Sequence, residues 1–213
     1  MLNFLISILV GTGETLSLAI LALIFGLIIG VVLALGLISQ KAYISHPINL
    51  LYTLVQGLPE MLLLLIAYFE IPRWISWALN RPVEFSPFAM GICTLALIFG
   101  CYAAKLFFSA FQGIHKGQQE ASRVLGLKPF QSFTLILLPQ IFQKSLAGLG
   151  NLWLILLKDT ALVSLIGVSD LMSRTKIAIG NTHKPFTFYM IAAGIYLLIT
   201  LLSEKLIKWK AGS

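Results

Sequence analysis

The sequence predicts an all-α integral membrane protein with about five transmembrane helices. Three observations carry that prediction: 58% of the 213 residues are hydrophobic, only 11% are charged, and the mean hydropathy is +0.93. A soluble domain carries roughly 25% charged residues, so this chain has too little polar surface to face water on all sides. That excludes a soluble catalytic domain. Five helices of about 20 residues take about 100 residues, and what remains suffices for connections but not for a sizeable extramembrane domain.

The first span is placed at 12–38, because Thr15 to Ile38 carries no charge and is long enough to cross about 30 Å of hydrocarbon. Thr12 is positioned as its N-cap, with Glu14 in the first turn where the helix dipole favours a carboxylate. The first basic residue is Lys41, so the charged start of a secretory signal is missing and this helix is expected to remain. The second span, 49–69, is interrupted by Gly57, Pro59 and Glu60. The third, 86–110, holds Lys105 near its end. Cys93 and Cys101 lie inside it and read as small hydrophobes rather than a bridge. The fourth is placed at 137–160, although Pro139, Lys144 and the pair Lys158–Asp159 admit a start anywhere from about Gln140 to Leu149. The fifth, 187–206, ends in the basic tail Lys205, Lys208 and Lys210. Together they make one transmembrane domain over 11–204, with a polar connection at 112–133.

With the N-terminus periplasmic, nine of the fifteen basic residues fall on inner segments: Lys41, Lys105, Lys116, Arg123, Lys128, Lys144, Lys205, Lys208 and Lys210. The outer segments hold five, Arg73, Arg81, Arg174, Lys176 and Lys184. The positive-inside rule therefore puts the N-terminus outside and the C-terminus in the cytoplasm. The same distribution accounts for the net charge of +7. No compact basic block is present, and no nucleic-acid partner is expected.

Glu60 lies ten residues into an apolar run, about 15 Å from Leu50 along a helix and close to the bilayer midplane. A charge there costs at least a few kcal/mol on insertion scales, so such a carboxylate faces the protein interior and marks a pathway. Pro59 cannot donate a backbone hydrogen bond and leaves the Val55 carbonyl without its usual partner, while Gly57 loosens the same turn. Broken helices at mid-depth are tolerated where they line a cavity. The structural alternative is a kink whose Glu60 pairs with Lys105 or Lys158. Lys158 and Asp159, followed by Thr160 and Ser164, form the second polar interruption. Adjacent helical residues diverge in direction, so one of the pair faces a cavity or a neighbouring helix, and a plain helix end would explain both without function. The substrate-path candidates are Gly57, Leu58, Pro59, Glu60, Asp159, Thr160 and Ser164.

From Gln112 to Phe133 the chain turns polar, and Ala121, Val124, Leu125 and Leu127 form the apolar face of a short amphipathic helix between Gly117 and Gly126. Such a helix lies on a membrane surface or docks into a partner. The string Gln119-Glu120-Ala121-Ser122, then Gly126, Ile136 and Leu138-Pro139, resembles the EAA signature of permease subunits of bacterial ABC importers, with Ser122 in place of a second alanine. The resemblance implies a coupling loop over 112–133 that enters a cleft of an ATPase subunit. Glu120, Ala121 and Ser122 would stand at the contact, Gly126 at the turn between short helices, and Ile136 and Pro139 at the end of the motif.

Further strings extend the similarity over nearly the whole chain: Gly57-Leu58-Pro59-Glu60, Ser86-Pro87-Phe88, Gly148-Leu149-Gly150-Asn151, the run from Lys158 to Ile166, and Asp170-Leu171-Met172. They resemble the polar-amino-acid branch, the histidine and arginine permeases. What this implies is a type I ABC importer permease of the bacterial inner membrane, embedded in lipid. Its partners would be ATP-binding cassette subunits, a second permease of the same or similar chain, and a periplasmic amino-acid-binding protein. The implied substrate is arginine or a related basic amino acid. A guanidinium cannot shed its proton, and in a low-dielectric path it needs a carboxylate; Glu60 and Asp159 are the acidic residues within the apolar runs.

No G-x-x-x-x-G-K-[ST] string is present, so the chain has no phosphate-cradling loop of its own. Gly11-Thr12-Gly13 follows no strand and reads as a helix entry. His46, His115 and His183 fall in three separate connections without ligand spacing, so no metal or cofactor is expected. Nor does any nucleophile, base and orienting group cluster, so catalysis by this chain is not expected. The competing reading is a stand-alone cation-coupled secondary transporter or channel in which Glu60 and Asp159 bind a cation or proton. The coupling-loop spacing has no purpose there.

Overall fold

The computed structural model describes residues 2–39 and 41–211; the side chains of Lys116, Gln119 and residues 208–211 lie outside the described residues, among them those of the expected signature residue Gln119 and the tail residues Lys208 and Lys210. The elements in chain order are helices α1 (Leu2–Ile38), α2 (Ala42–Gly57), α3 (Glu60–Leu65), α4 (Ile71–Leu79), α5 (Pro87–Gln112), α6 (Lys116–Val124), α7 (Pro129–Ser132), α8 (Leu138–Asp159), α9 (Leu171–Thr182) and α10 (Pro185–Ala211). Among the described residues there is no strand. Among the described residues, five helical stretches are long and apolar enough to cross a membrane: Leu2–Ile38, Glu60–Leu79, Pro87–Gln112, Pro129–Ile166 and Pro185–Ile207. The all-helical, five-span architecture is therefore as expected, and two features of it differ from the expectation.

The first difference is the start of α1. Thr12 is not an N-cap but lies inside the helix, its hydroxyl donating to the Ile8 carbonyl at 3.0 Å. Leu2 to Gly11 stays helical because its apolar side chains pack on α9 and α10: Ile8 is fully buried with Leu171, Ala178 and Phe188, and Phe4 meets Phe188 edge-on at 6.2 Å. The second is the segment expected as one span at 49–69. It is divided between α2, which ends at Gly57, and a new helical run from Glu60, with Leu58 (φ −112, ψ 143) and Pro59 (φ −60, ψ 136) extended between them. A residue before proline is pushed from the helical to the extended region, and Pro59 then serves as the N-cap, its carbonyl accepting from the Leu62 and Leu63 amides.

Two other prolines widen a helix without breaking it. The π-helical turns Ile66–Glu70 and Phe133–Leu137 each immediately precede a proline near the start of the next helix, Pro72 in α4 and Pro139 in α8. A proline ring clashes with the carbonyl four residues back and supplies no amide hydrogen, and an extra residue in the turn relieves that clash. The run from Pro129 to Ile166 thus remains helical throughout, finishing in a tight 3₁₀ segment Thr160–Ile166 closed by Gly167.

The core sits between α1, α5 and α8. Lipid tails are as apolar as leucine, so spanning helices associate through close packing rather than through escape from water. Ala22, Gly26, Gly30 and Ala34, spaced four apart, form one buried stripe of α1. It meets Ala96, Gly100, Ala103 and Ala104 of α5, also buried. A Cβ on Gly26 would lie 2.7 Å from Phe99 Cδ1, and one on Gly100 would lie 2.6 Å from Ile29 Cγ2 and 3.0 Å from the Gly26 carbonyl oxygen. The helices therefore touch through backbone. Around this pair α8 lies on α5, α9 on the early part of α1, and α10 on α8 and α9.

At the α9 end the packing is polar. Asp170, fully buried, caps α9 by accepting from the Ser173 amide at 2.8 Å, while its other carboxylate oxygen has no hydrogen-bond partner. Thr15 of α1 accepts from the Leu171 amide at 3.1 Å and donates to the Gly11 carbonyl at 3.0 Å. Burial raises the Asp170 carboxyl from 3.8 to about 6, against smaller opposing effects of the Ser173 and Met172 amides and Lys176.

Two outcomes follow from this packing. Gly100→Val forces α1 and α5 apart and destabilises the fold by about 1–3 kcal/mol or more, read as a lower melting temperature in detergent with loss of monodisperse protein. Because the folded Asp170 binds its proton more tightly than the unfolded chain does, its contribution is fullest below about pH 4 and is lost as pH rises through about 6. Asp170→Asn keeps the cap and removes the buried charge, so it melts higher than wild type at pH 7.5, and the difference shrinks towards pH 5.

Candidate functional site

The break at Leu58–Pro59 makes Glu60 the first residue of a helix rather than the middle of one. The local reason is that Pro59 ends one hydrogen-bond ladder and its carbonyl opens the next. Gly57, the last residue of α2, is exposed, and a Cβ there would meet no atom within 4 Å; Leu58 is half-buried and Pro59 exposed. The backbone at Gly57–Pro59 is therefore open on one side. α3 packs against α5 and against the 3₁₀ segment Thr160–Ile166.

Asp159 closes α8 at the junction with that 3₁₀ segment and is half-buried. It lines a small cavity of about 20 Å³ with Tyr102, Leu95, Phe99, Leu152 and Leu156. Glu60 opens α3, which packs on α5 and on the 3₁₀ segment that Asp159 precedes. The structure thus places Glu60 and Asp159, distant in sequence, on helices that pack against the same α5, with Tyr102 of α5 lining the cavity beside Asp159. Among the described residues Glu60 forms no salt bridge with Lys105 or Lys158; the ion pair present is Arg73–Glu70 at 3.1 Å on the exposed face of α4.

Thr160 and Ser164 go elsewhere. Thr160 is fully buried and its hydroxyl donates to the Leu157 carbonyl at 2.7 Å. Ser164 donates to the Ala161 carbonyl at 2.8 Å and accepts from Lys176 of α9 at 3.1 Å. Both hydroxyls hold backbone and neighbouring elements in place. Tyr102 was not singled out by the sequence, since one tyrosine in an apolar run carries no signal until its neighbours are known.

The connection between α5 and α8 is built for rigidity with an apolar side turned outward. Lys144 donates to the Gly113 carbonyl at 2.6 Å, where a cation suits the C-terminal end of α5. At the end of α6 the Leu127 amide donates to the Ser122 carbonyl at 3.1 Å and the Gly126 amide to the Arg123 carbonyl at 3.0 Å. This is the paired closure that a left-handed residue permits, and Gly126 has φ +76. Lys128 and Pro129 then open α7, with the Gln131 side chain accepting from the Lys128 amide at 3.0 Å. Ser122 and Ser132, both buried, join α6 to α7 through their hydroxyls at 2.6 Å. Ala121 and Glu120 are exposed, and Val124, Leu125 and Phe130 are 88%, 75% and 77% exposed. Ile136 is half-buried in the π-helical turn, and Pro139 is exposed at the start of α8. The apolar residues of α6 do not fold back onto the bundle, so the pair α6–α7 presents a stiff, partly apolar knob.

Residues 3–208 match the family described as the binding-protein-dependent transport system inner membrane component. The chain is 41% identical over 190 residues to the arginine ABC transporter permease protein ArtQ of Haemophilus influenzae, covering 89% of this chain and 85% of that one. It is 38% identical to ArtQ of Escherichia coli, over 92% and 90% of the two chains. Identity to the histidine/lysine/arginine/ornithine permease protein HisQ of Escherichia coli is 33%, over 92% and 88%. Among solved structures, an amino acid ABC transporter crystallised with histidines superposes with a TM-score of 0.88 at 28% identity, covering 99% of this chain and 95% of that one. The MetNI methionine ABC transporter shares the fold, with a TM-score of 0.77 at 18% identity over 98% and 96%.

Proposed function

Because the chain belongs to the binding-protein-dependent transport system inner membrane component family, we propose that it forms half of the substrate path of an ATP-driven importer for arginine or a related basic amino acid. It is an inner-membrane permease subunit of an amino-acid ABC importer, and this membership sets aside the stand-alone carrier or channel. The observation that carries the substrate reading is the placing of two carboxylates, Glu60 and Asp159, on helices packed against α5, whose Tyr102 lines the cavity beside Asp159. Two carboxylates and an aromatic ring offset the desolvation of a permanent cation, and the arginine-type relatives support the same substrate.

The mechanism works through two rigid parts. The substrate path comprises Gly57, Leu58, Pro59, Glu60 and Asp159, with Thr160 and Ser164 fixing the 3₁₀ segment behind them. The N-terminus is periplasmic and the C-terminus cytoplasmic, which puts the loop around Gly126 in the cytoplasm. There the knob carrying Glu120, Ala121 and Ser122 sits in a cleft of an ATP-binding cassette subunit, and Gly126, Ile136 and Pro139 tie it to α8. ATP hydrolysis belongs to that partner. Its movement reaches Asp159 along the unbroken helical run Pro129–Ile166 and alternates access to the site. The stretch Glu60–Leu79, with exposed Met61, Leu62, Phe69, Trp74 and Trp77, is where a second permease of the same or similar chain would complete the path, and a periplasmic amino-acid-binding protein would deliver the substrate.

Gentle detergent extraction of the tagged chain from its own cells, followed by mass spectrometry, tests the assembly: an ATPase subunit copurifies in stoichiometric amount, and a chain that emerges alone rejects the reading. Glu60→Gln lowers arginine uptake at least roughly tenfold, the order of one lost charge interaction, while leaving copurification of the ATPase unchanged. Unaltered uptake at normal expression rules out Glu60 as a substrate residue. Glu120→Arg lets the protein insert but abolishes arginine-stimulated ATP hydrolysis in the reconstituted complex, and retained stimulation counts against the docking assignment.

A further inference from the structure

Lys105 is a cation inside a spanning helix. It lies in α5 seven residues before Gln112, about 10 Å from the helix end. Among the described residues it forms no salt bridge. Its ammonium donates instead to the Asn49 side-chain oxygen at 2.5 Å and sits 4.8 Å from the centroid of the Tyr52 ring. Both partners are on α2, and both are neutral. An amide oxygen and an aromatic face hold a cation more weakly than a carboxylate does, so this contact can be exchanged.

Those two groups are also what a free cation would use. Tyr52 packs edge-on against Tyr102, ring centroids 6.2 Å apart at 83°. Tyr102 and Lys105, three residues apart, share one face of α5. Tyr102 in turn lines the small cavity that Asp159 also lines, and α3, which Glu60 opens, packs on α5. An aromatic pair therefore connects the cavity beside Asp159 to the place that Lys105 occupies, on the side of Gln112, which the proposed orientation makes cytoplasmic.

We propose that Asn49 and Tyr52 form a second cation subsite on the path, which Lys105 fills in this structure and which receives the guanidinium or ammonium of the substrate when Lys105 withdraws. The subsite rests on the reading of this chain as a basic amino-acid permease. Lysine suits the task because its charge rides on a flexible four-carbon stem. A substrate leaving Glu60 and Asp159 has to compete with a tethered cation, which weakens its hold on the exit side and hastens its release.

The test uses the complete importer in lipid nanodiscs and proteoliposomes with radiolabelled arginine. Lys105→Met frees the subsite: arginine binding without nucleotide tightens roughly fivefold, and the maximal rate of ATP-driven uptake falls because release slows. Lys105→Gln does the same, and Lys105→Arg behaves as wild type. Tyr52→Leu in the Lys105→Met background removes the gain in affinity. Each variant is first checked for copurification with the ATPase and for its melting temperature; a residue that merely tethers α2 to α5 lowers the melting temperature without tightening arginine binding. Unchanged or weaker affinity in both Lys105→Met and Lys105→Gln overturns the subsite, as does a gain that survives Tyr52→Leu. Loss of ATP-driven arginine uptake by the wild type overturns the permease reading together with the subsite, whereas intact wild-type uptake with unaltered affinity in the variants overturns the subsite alone.

Discussion

Gly26 and Gly100 let two membrane-spanning helices touch through their backbones, and the rest of the bundle is assembled on that contact. In hydrocarbon there is little to gain from exchanging a lipid tail for a leucine, so what holds α1 to α5 is the dense dispersion contact that small residues permit. A four-residue spacing of Ala22, Gly26, Gly30 and Ala34 keeps the small positions on one face of α1 for three turns. That face settles the position of α5, and α5 settles the position of α8 and α3. Since Tyr102 and Lys105 belong to α5 and Asp159 to α8, the polar site inherits its geometry from an apolar seam.

Proline does the opposite work, shaping the helices that the seam does not hold. Pro59 separates α2 from α3, and Pro72 and Pro139 each follow a widened turn. The different outcomes have a local cause. Leu58 before Pro59 is free to extend because Gly57 and its surroundings are open, whereas the residues before Pro139 are anchored by buried Leu137 and Ser132 and keep the helix continuous. One proline thus opens a backbone gap beside a carboxylate, and another leaves intact the rod that runs from the α6–α7 knob to Asp159.

Charges inside the spans find partners by means that differ along the molecule. Glu60 takes the end of a helix, Lys105 an amide and a ring, and Lys144 a free carbonyl at the end of α5. Each arrangement satisfies the group without a fixed ion pair.

Composition and apolar run length alone determined that this chain is helical and crosses a membrane about five times, because the hydrocarbon thickness sets the length of each span. The spacing of Glu120, Gly126 and Pro139 marked the loop that links α5 to α8, and Glu60 and Asp159 were legible as charges with no business in an apolar run unless they faced inward. The four-residue stripe from Ala22 to Ala34 was equally legible. Hydropathy does not mark it, because alanine and glycine in a run of leucine and isoleucine raise no contrast. Tertiary structure decided the rest. That Pro59 ends a helix instead of bending it, that Thr12 lies within α1 rather than capping it, and that Glu60 and Asp159 sit on helices packed against one α5 while Thr160 and Ser164 hydrogen-bond elsewhere all depend on which faces of distant helices pack together. The period of a helix says which residues share a face, but only contact between helices says what that face is turned towards.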